Sequence, residues 1–131
     1  MTHSKTLGNL GESIVCGYLT RNNYKILDRN YHSRYGEIDI IAEKGANIVF
    51  IEVKVRKIGS IISGLEAVNF FKQKKIVKTA LDYLSKKNIE LQPRFDVIEL
   101  IYYLKNGARF LKSMRHLENA FCWQDSYDEN F

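Results

Sequence analysis

Asp39 and the triplet Glu52-Val53-Lys54 have the types and spacing for one kind of chemistry, the handling of a phosphate group with a divalent cation. Carboxylates are hard oxygen ligands of the sort Mg²⁺ takes in an octahedron at about 2.0–2.1 Å while keeping several waters. Two of them, Asp39 and Glu52, together with a substrate phosphate make a suitable set, and Mn²⁺ accepts the same ligands. The cation would lower the pKa of a bound water and neutralise charge on the phosphorus oxygens. Lys54 adds a point charge able to orient the attacking water or stabilise a pentavalent transition state. Its carboxylate neighbours favour that electrostatic role over a role as base.

For these groups to meet, neighbouring elements must aim them at one place. GEIDIIA (36–42) and ANIVFIEVKVR (46–56) are rich in β-branched residues and separated by EKG, which predicts a hairpin. Alternation puts Glu52, Lys54 and Arg56 on one face and Ile51, Val53 and Val55 on the other; it also puts Glu37 with Asp39, opposite Ile38 and Ile40. With the turn centred on Lys44-Gly45 and Glu43 opposite Ala46, Asp39 falls across from Phe50 and diagonal to Glu52, about 7–8 Å away at the backbone. A slip of one residue would turn Asp39 to the wrong face. The run IVFIEV is apolar enough for a central strand, where an ionised Glu and Lys are costly unless paired or bound to an ion. The competing reading is an amphipathic strand whose Glu52, Lys54 and Arg56 form a solvated face of alternating charge.

Around the hairpin, Leu7, Leu10, Ile14, Val15, Tyr18 and Leu19 recur at helical spacing and predict a helix from Asn9 to Asn22, followed by a strand in YKILDRN. A stretch from Leu65 to Lys87 without Gly or Pro predicts a second helix, with Gln73, Ile76, Val77, Ala80 and Leu84 along one side. Beyond the loop at Pro93, RFDVIELIYYL predicts a strand, and ARFLKSM a short edge strand after the Asn106-Gly107 turn. The order α-β-β-β-α-β gives an α/β fold with a mixed sheet flanked by helices, because a crossover helix permits one parallel connection. The length suits a single domain over 1–123, with 124–131, which carry Asp125, Asp128 and Glu129, as a flexible acidic tail.

The net charge of +5 suits a polyanionic partner, since a Lys or Arg placed on a phosphate releases condensed counterions. Cys16 and Cys122 are too few and too far apart for a disulfide framework or zinc cluster, and His3, His32 and His116 lack zinc-site spacing. No run reaches the length of a membrane span and the N-terminus lacks the apolar stretch of a signal peptide, so a cytoplasmic protein without a membrane partner is expected.

The sequence also resembles a known family. An Asp on the second strand followed by Glu-x-Lys on the third is the signature of the PD-(D/E)xK nuclease superfamily. More closely, Gly8-Asn9-Leu10-Gly11-Glu12, Tyr18-Leu19, Arg29-Asn30, GEIDIIA, VFIEVKVR, RFDVIEL and Asn119-Ala120-Phe121 resemble the YraN-like bacterial proteins over nearly the whole chain. Val15 and His32 depart from that pattern, standing where Ala and a basic residue are usual. The resemblance implies a restriction-endonuclease-like core related to archaeal Holliday-junction resolvases. By that kinship it also implies a nuclease acting on DNA, including branched structures, and a homodimer. It places Glu12 at the position of a helix-borne catalytic Glu; read from the residues alone, Glu12 is equally a solvated or capping Glu of the first turn.

Supporting roles follow. Gln73 on the second helix needs a partner for its amide and is a candidate to back the site, as is Lys72, which aligns with a lysine usual in YraN-like sequences. Glu37 either assists the metal or pairs with Arg56. Arg34, Arg56, Lys74, Lys75 and Lys78 are candidate phosphate contacts, with solvated lysines the default for the last three. Two functions remain open: a Mg²⁺-dependent phosphodiesterase on DNA, and a binding or scaffold module that keeps the nuclease fold without cleaving.

Overall fold

The computed structural model describes residues 3–60 and 69–122. Its elements are α1 (His3–Arg21), β1 (Lys25–Ser33), β2 (Gly36–Lys44), β3 (Asn47–Lys57), α2 (Phe70–Lys87), β4 (Gln92–Lys105) and β5 (Ala108–Phe121). The strands form one mixed sheet in the order β1-β2-β3-β4-β5. Among the described residues only β3 and β4 pair in parallel, joined through the crossover helix α2, and the other pairs are antiparallel. This is the expected α-β-β-β-α-β order, with the edge strand expected at ARFLKSM following as β5.

The alternation of β3 separates two cores. Phe50 packs with Ile76, Val77, Ala80 and Tyr83 of α2, whereas Val49 and Ile51 pack with Val15 and Leu19 of α1, so the helices cover opposite faces. α1 lies close on β3 because position 11 is glycine: a Cβ there would stand 2.6 Å from Val55 Cγ2. Among the described residues no helix is long and apolar enough to cross a membrane.

Several boundaries differ from the sequence expectation. α1 starts at His3 rather than Asn9. α2 starts at Phe70, where Asn69 in extended backbone caps the helix by accepting from Lys72 N; residues 65–68 of the expected helix lie outside the described residues. Gln73 therefore sits just past the first turn and is half-buried, while Ile76, Val77, Thr79, Ala80 and Tyr83 form the buried face. The strand expected at ARFLKSM runs on to Phe121, whose ring stacks on Phe95. Pairing continues because Asn106 and Gly107, both at positive φ, close a two-residue turn that sets β5 fully against β4. The expected acidic tail 124–131 lies outside the described residues.

The hairpin register also differs. Lys44 pairs with Asn47 around a two-residue turn at Gly45-Ala46, and Glu43, Ala42, Ile41 and Ile40 pair with Ile48, Val49, Phe50 and Ile51. The shift from the expected pairing is two residues, which preserves the face but brings position 39 level with Glu52 instead of Phe50. In the observed register Gly45, at φ 58°, takes the first position of the two-residue turn, where positive φ suits glycine.

Candidate active site

The β2–β3 ladder ends at Ile40↔Ile51, and just beyond it the two strands part. Val53 N–H, which would otherwise lack an acceptor from β2, donates to Asp39 Oδ2 at 2.8 Å. β2 turns at this point: Ile38 packs in the α2-side core and Ile40 in the α1-side core, although strict alternation predicted a shared face. Across on β1, Asn30 takes a left-handed conformation at φ 52° between the pairs Arg29↔Ile40 and Tyr31↔Ile38. The parting of the strands makes room for side chains from both helices.

Four titratable groups, Asp39, Glu52, Lys54 and Lys72, meet in that gap. Glu52, only 6 % exposed, is hydrogen-bonded with Asp39, and its Oε2 lies 3.2 Å from Lys54 Nζ and 2.6 Å from Lys72 Nζ. Burial, and then the Glu52 carboxylate beside it, push the Asp39 carboxyl up to about 8, against the Val53 amide, which lowers it. Burial would raise Glu52 too, but hydrogen bonds from Asp39 and Lys72 and the charges of both lysines hold it below the ordinary carboxylate range. One proton is thus shared unequally, on the Asp39 side of the pair. Burial, with Lys72 close by, pulls Lys54 down, whereas Lys72 overcomes its own desolvation through Glu52 and is held up.

Glu12 reaches toward this group from α1 and is buried, not solvated; it sits near the middle of the helix, which removes the capping alternative. Burial raises its pKa, against a hydrogen bond from Asn30 and the charge of Arg29, 3.8 Å from Oε1. Oε1 has no hydrogen-bond partner among the described residues.

Glu37, Arg56, Arg34, Lys75 and Lys78 are not gathered here. Glu37 does not join Asp39 and does not pair with Arg56; turned outward by the bend in β2, its Oε2 lies 3.2 Å from His32 Nδ1. Arg56 instead donates to Glu99 Oε2 at 2.9 Å. Lys74 Nζ stands over the Phe70 ring, and Lys75 and Lys78 are exposed on α2. Arg34 donates to Tyr35 at the tip of the β1–β2 turn.

Sequence reasoning missed Glu99, fully buried on the same sheet face as Lys54 and level with it through the parallel β3–β4 register. Only that pairing brings it there. It also missed a polar network on the α1 face, where buried Asp96 accepts from Arg94 (Nε 3.0 Å, Nη2 2.8 Å) and from Asn119 N at 3.1 Å. His116 links this carboxylate to Tyr18, at 2.7 Å on each side. His116 thus ties the end of α1 to the buried Asp96 of β4.

Among the described residues no three His, Cys, Asp or Glu side chains are grouped to enclose a metal. The two carboxylates that do meet are hard donors, Glu52 buried and Asp39 partly so, with a Glu12 oxygen behind that lacks a hydrogen bond and has only the Arg29 charge at 3.8 Å. That set fits a hard dication that keeps its waters, not one needing a full protein cage.

The profile of the Uncharacterised protein family UPF0102 matches residues 11–100. The chain belongs to this family. Relatives span its length: a UPF0102 protein of Caldanaerobacter subterraneus is 46% identical over 122 residues, covering 91% of this chain and 97% of that one. Another from Geobacter metallireducens is 44% identical over 120 residues (91% and 94%), and one from Clostridium tetani 46% identical over 121 (92% and 97%). The expected YraN-like membership is therefore borne out. Glu12, Asp39, Glu52, Lys54 and Lys72 all fall within the UPF0102 match.

Proposed function

We propose that this UPF0102 protein is a metal-dependent nuclease that hydrolyses phosphodiester bonds in DNA, including branched structures. One observation carries the reading: two carboxylates, Asp39 and Glu52, are held together in a largely buried gap with two ammonium groups on Glu52. Such a cluster is costly to bury and contributes little as scaffolding, so a ligand that needs it is the physical reason to keep it. The resemblance of Asp39 and Glu52-Val53-Lys54 to the PD-(D/E)xK pattern, with its restriction-endonuclease-like core, supports the same conclusion.

When held by Asp39 and Glu52, Mg²⁺ or Mn²⁺ would supply water activation and charge neutralisation at the phosphate. The chain's own residues do the rest. Asp39 would have to lose its proton to serve as a ligand, and its contact with Val53 N–H fixes its direction. Lys72, half-exposed and anchored at the capped start of α2, can exchange Glu52 for an incoming phosphate oxygen. Lys54, whose charge burial makes costly, gains most from an anionic transition state. Glu12, whose pKa burial raises, turns its carboxyl toward the same gap.

The test is incubation with single-stranded, duplex and four-way-junction DNA in Mg²⁺ or Mn²⁺, with Glu52→Gln alongside. We expect cleavage by the parent and none by the variant. Equal cleavage by both would remove the site from the chemistry, and binding without cleavage on every substrate would favour a scaffold that keeps only the fold.

A further inference from the structure

The β1–β2 turn consists of two residues, Arg34 and Tyr35, between the paired Ser33 and Gly36. A tip of this kind is ordinarily small and polar; here it carries a guanidinium and a phenol, with Arg34 Cζ 4.9 Å from the centre of the Tyr35 ring. The tip is also fixed in place. Ser33 Oγ accepts from Tyr35 N at 3.1 Å and donates to Thr79 Oγ1 of α2 at 3.4 Å. Gly36, at φ 155°, brings the backbone against Lys75 and Thr79, where a Cβ would find both at 3.5 Å.

Tyr35 stands between two open clefts along α2. One, of about 440 Å³, is bordered by Arg34, Lys72 and Lys75; the other, of about 480 Å³, by Lys78, Asp82 and Ser85, and Tyr35 lines both. Lys72, Lys75 and Lys78 follow at intervals of three, so they share one side of the helix and advance about 4.5 Å along its axis at each step. The acids nearby are already engaged, Glu37 with His32 and Asp82 with Tyr31 and Lys86. Lys72 is also the lysine bonded to Glu52, so the row of cations leads directly into the Asp39–Glu52 gap.

We propose that this face is a track for an unpaired nucleic-acid strand, whose phosphates follow Lys72, Lys75 and Lys78 while one base stacks on Tyr35 and delivers the neighbouring phosphate to the site. The proposal rests on the nuclease reading and extends it to the class of substrate. An aromatic ring set among evenly spaced cations is the arrangement that binds single strands without sequence preference. A paired base has both faces covered by its neighbours and gains nothing from Tyr35, so the ring discriminates unpaired from duplex strands. Arg34 lies over one face of the half-buried ring, and a base would enter from the clefts that Tyr35 lines.

The experiment measures binding in EDTA of fluorescein-labelled dT and rU 12-mers and a 12-base-pair duplex to the full chain, by anisotropy at several salt concentrations. Tyr35→Ala should weaken single-strand binding about 5- to 100-fold and leave duplex binding within about twofold, with Tyr35→Phe restoring the parent affinity. Lys75→Ala and Lys78→Ala should each reduce the log–log salt slope by about 0.7. Lys25→Ala, an exposed lysine at the far end of β1, should change neither beyond twofold. A parent-like Tyr35→Ala, or an equal loss on duplex, overturns the proposal, provided thermal melting shows the variant folded; Tyr35→Leu, which keeps bulk without an aromatic face, must fail as Ala does. The dT and rU arms show whether the strand is DNA or RNA. Cleavage by the parent in Mg²⁺, scored separately, keeps the two readings apart: selective single-strand loss without any parental cleavage retains the track and discards the nuclease.

Discussion

Asp39→Asn should stabilise the metal-free protein. At pH 7 the unfolded chain carries Asp39 ionised, its ordinary value being 3.8, whereas the folded carboxyl, pushed to about 8 by burial and by Glu52, keeps its proton. About 3 pH units of titration separate the ordinary value from neutrality, and at about 1.36 kcal/mol each they amount to about 4 kcal/mol of stability that the parent forgoes. Local water entry reduces this, and a gain on the order of 2–4 kcal/mol is expected. Asn reproduces the protonated acid: its oxygen accepts from Val53 N and its amide donates to Glu52. The sign follows from linkage. A carboxyl with a raised folded pKa contributes fully below 3.8 and loses that contribution as pH rises toward about 8, so the advantage of Asn is near zero at pH 4, grows across neutrality and levels off above 8. Urea unfolding of both proteins at pH 4.5, 6, 7 and 8.5 in EDTA measures it, and repetition in Mg²⁺ should stabilise only the parent. A variant less stable than the parent at pH 7, or a difference that does not change with pH, would refute the shared-proton account.

The same proton should appear on metal binding: at pH 7 calorimetric titration with Mg²⁺ or Mn²⁺ in buffers of different ionisation enthalpy should show about one proton released, falling to near zero by pH 9, and no buffer dependence at pH 7 would count against Asp39 as a ligand. Asp96→Asn, which removes a fully buried charge from Arg94 and His116, should cost about 3–5 kcal/mol in urea unfolding while leaving the metal isotherm of the folded protein intact. Gly11→Ala should cost about 1–3 kcal/mol by forcing α1 off Val55, and Val55→Ala in the same chain should recover part of that loss in thermal melts.

Much of the fold was legible because its strands and helices are strongly periodic. The alternation of VFIEVKV fixed which residues of β3 share a face, and a register wrong by two residues still put Asp39 and Glu52 together, since side-chain direction repeats every second residue. The boundaries that failed depended on turns and caps: the two-residue turn at Gly45-Ala46, the Asn69 cap that starts α2, and the Asn106-Gly107 turn that commits all of β5 to pairing. The break of alternation between Ile38 and Ile40 carries no sequence signal stronger than Asn30 itself, an asparagine that tolerates left-handed backbone.

By itself the sequence determined the inventory and the parity: an acid on one strand, an acid and a lysine on the next, and a basic helix in the crossover that follows. Local pattern settles such matters because each depends on a few neighbouring residues. Only the tertiary structure decided that β2 and β3 part beside Asp39, that Lys72 rather than Arg56 completes the cluster, that Glu99 captures Arg56, and that Tyr35 stands beside three lysines of α2. Those arrangements join residues tens of positions apart, and their energies come from desolvation and charge pairing, which exist only once the chain has closed around them.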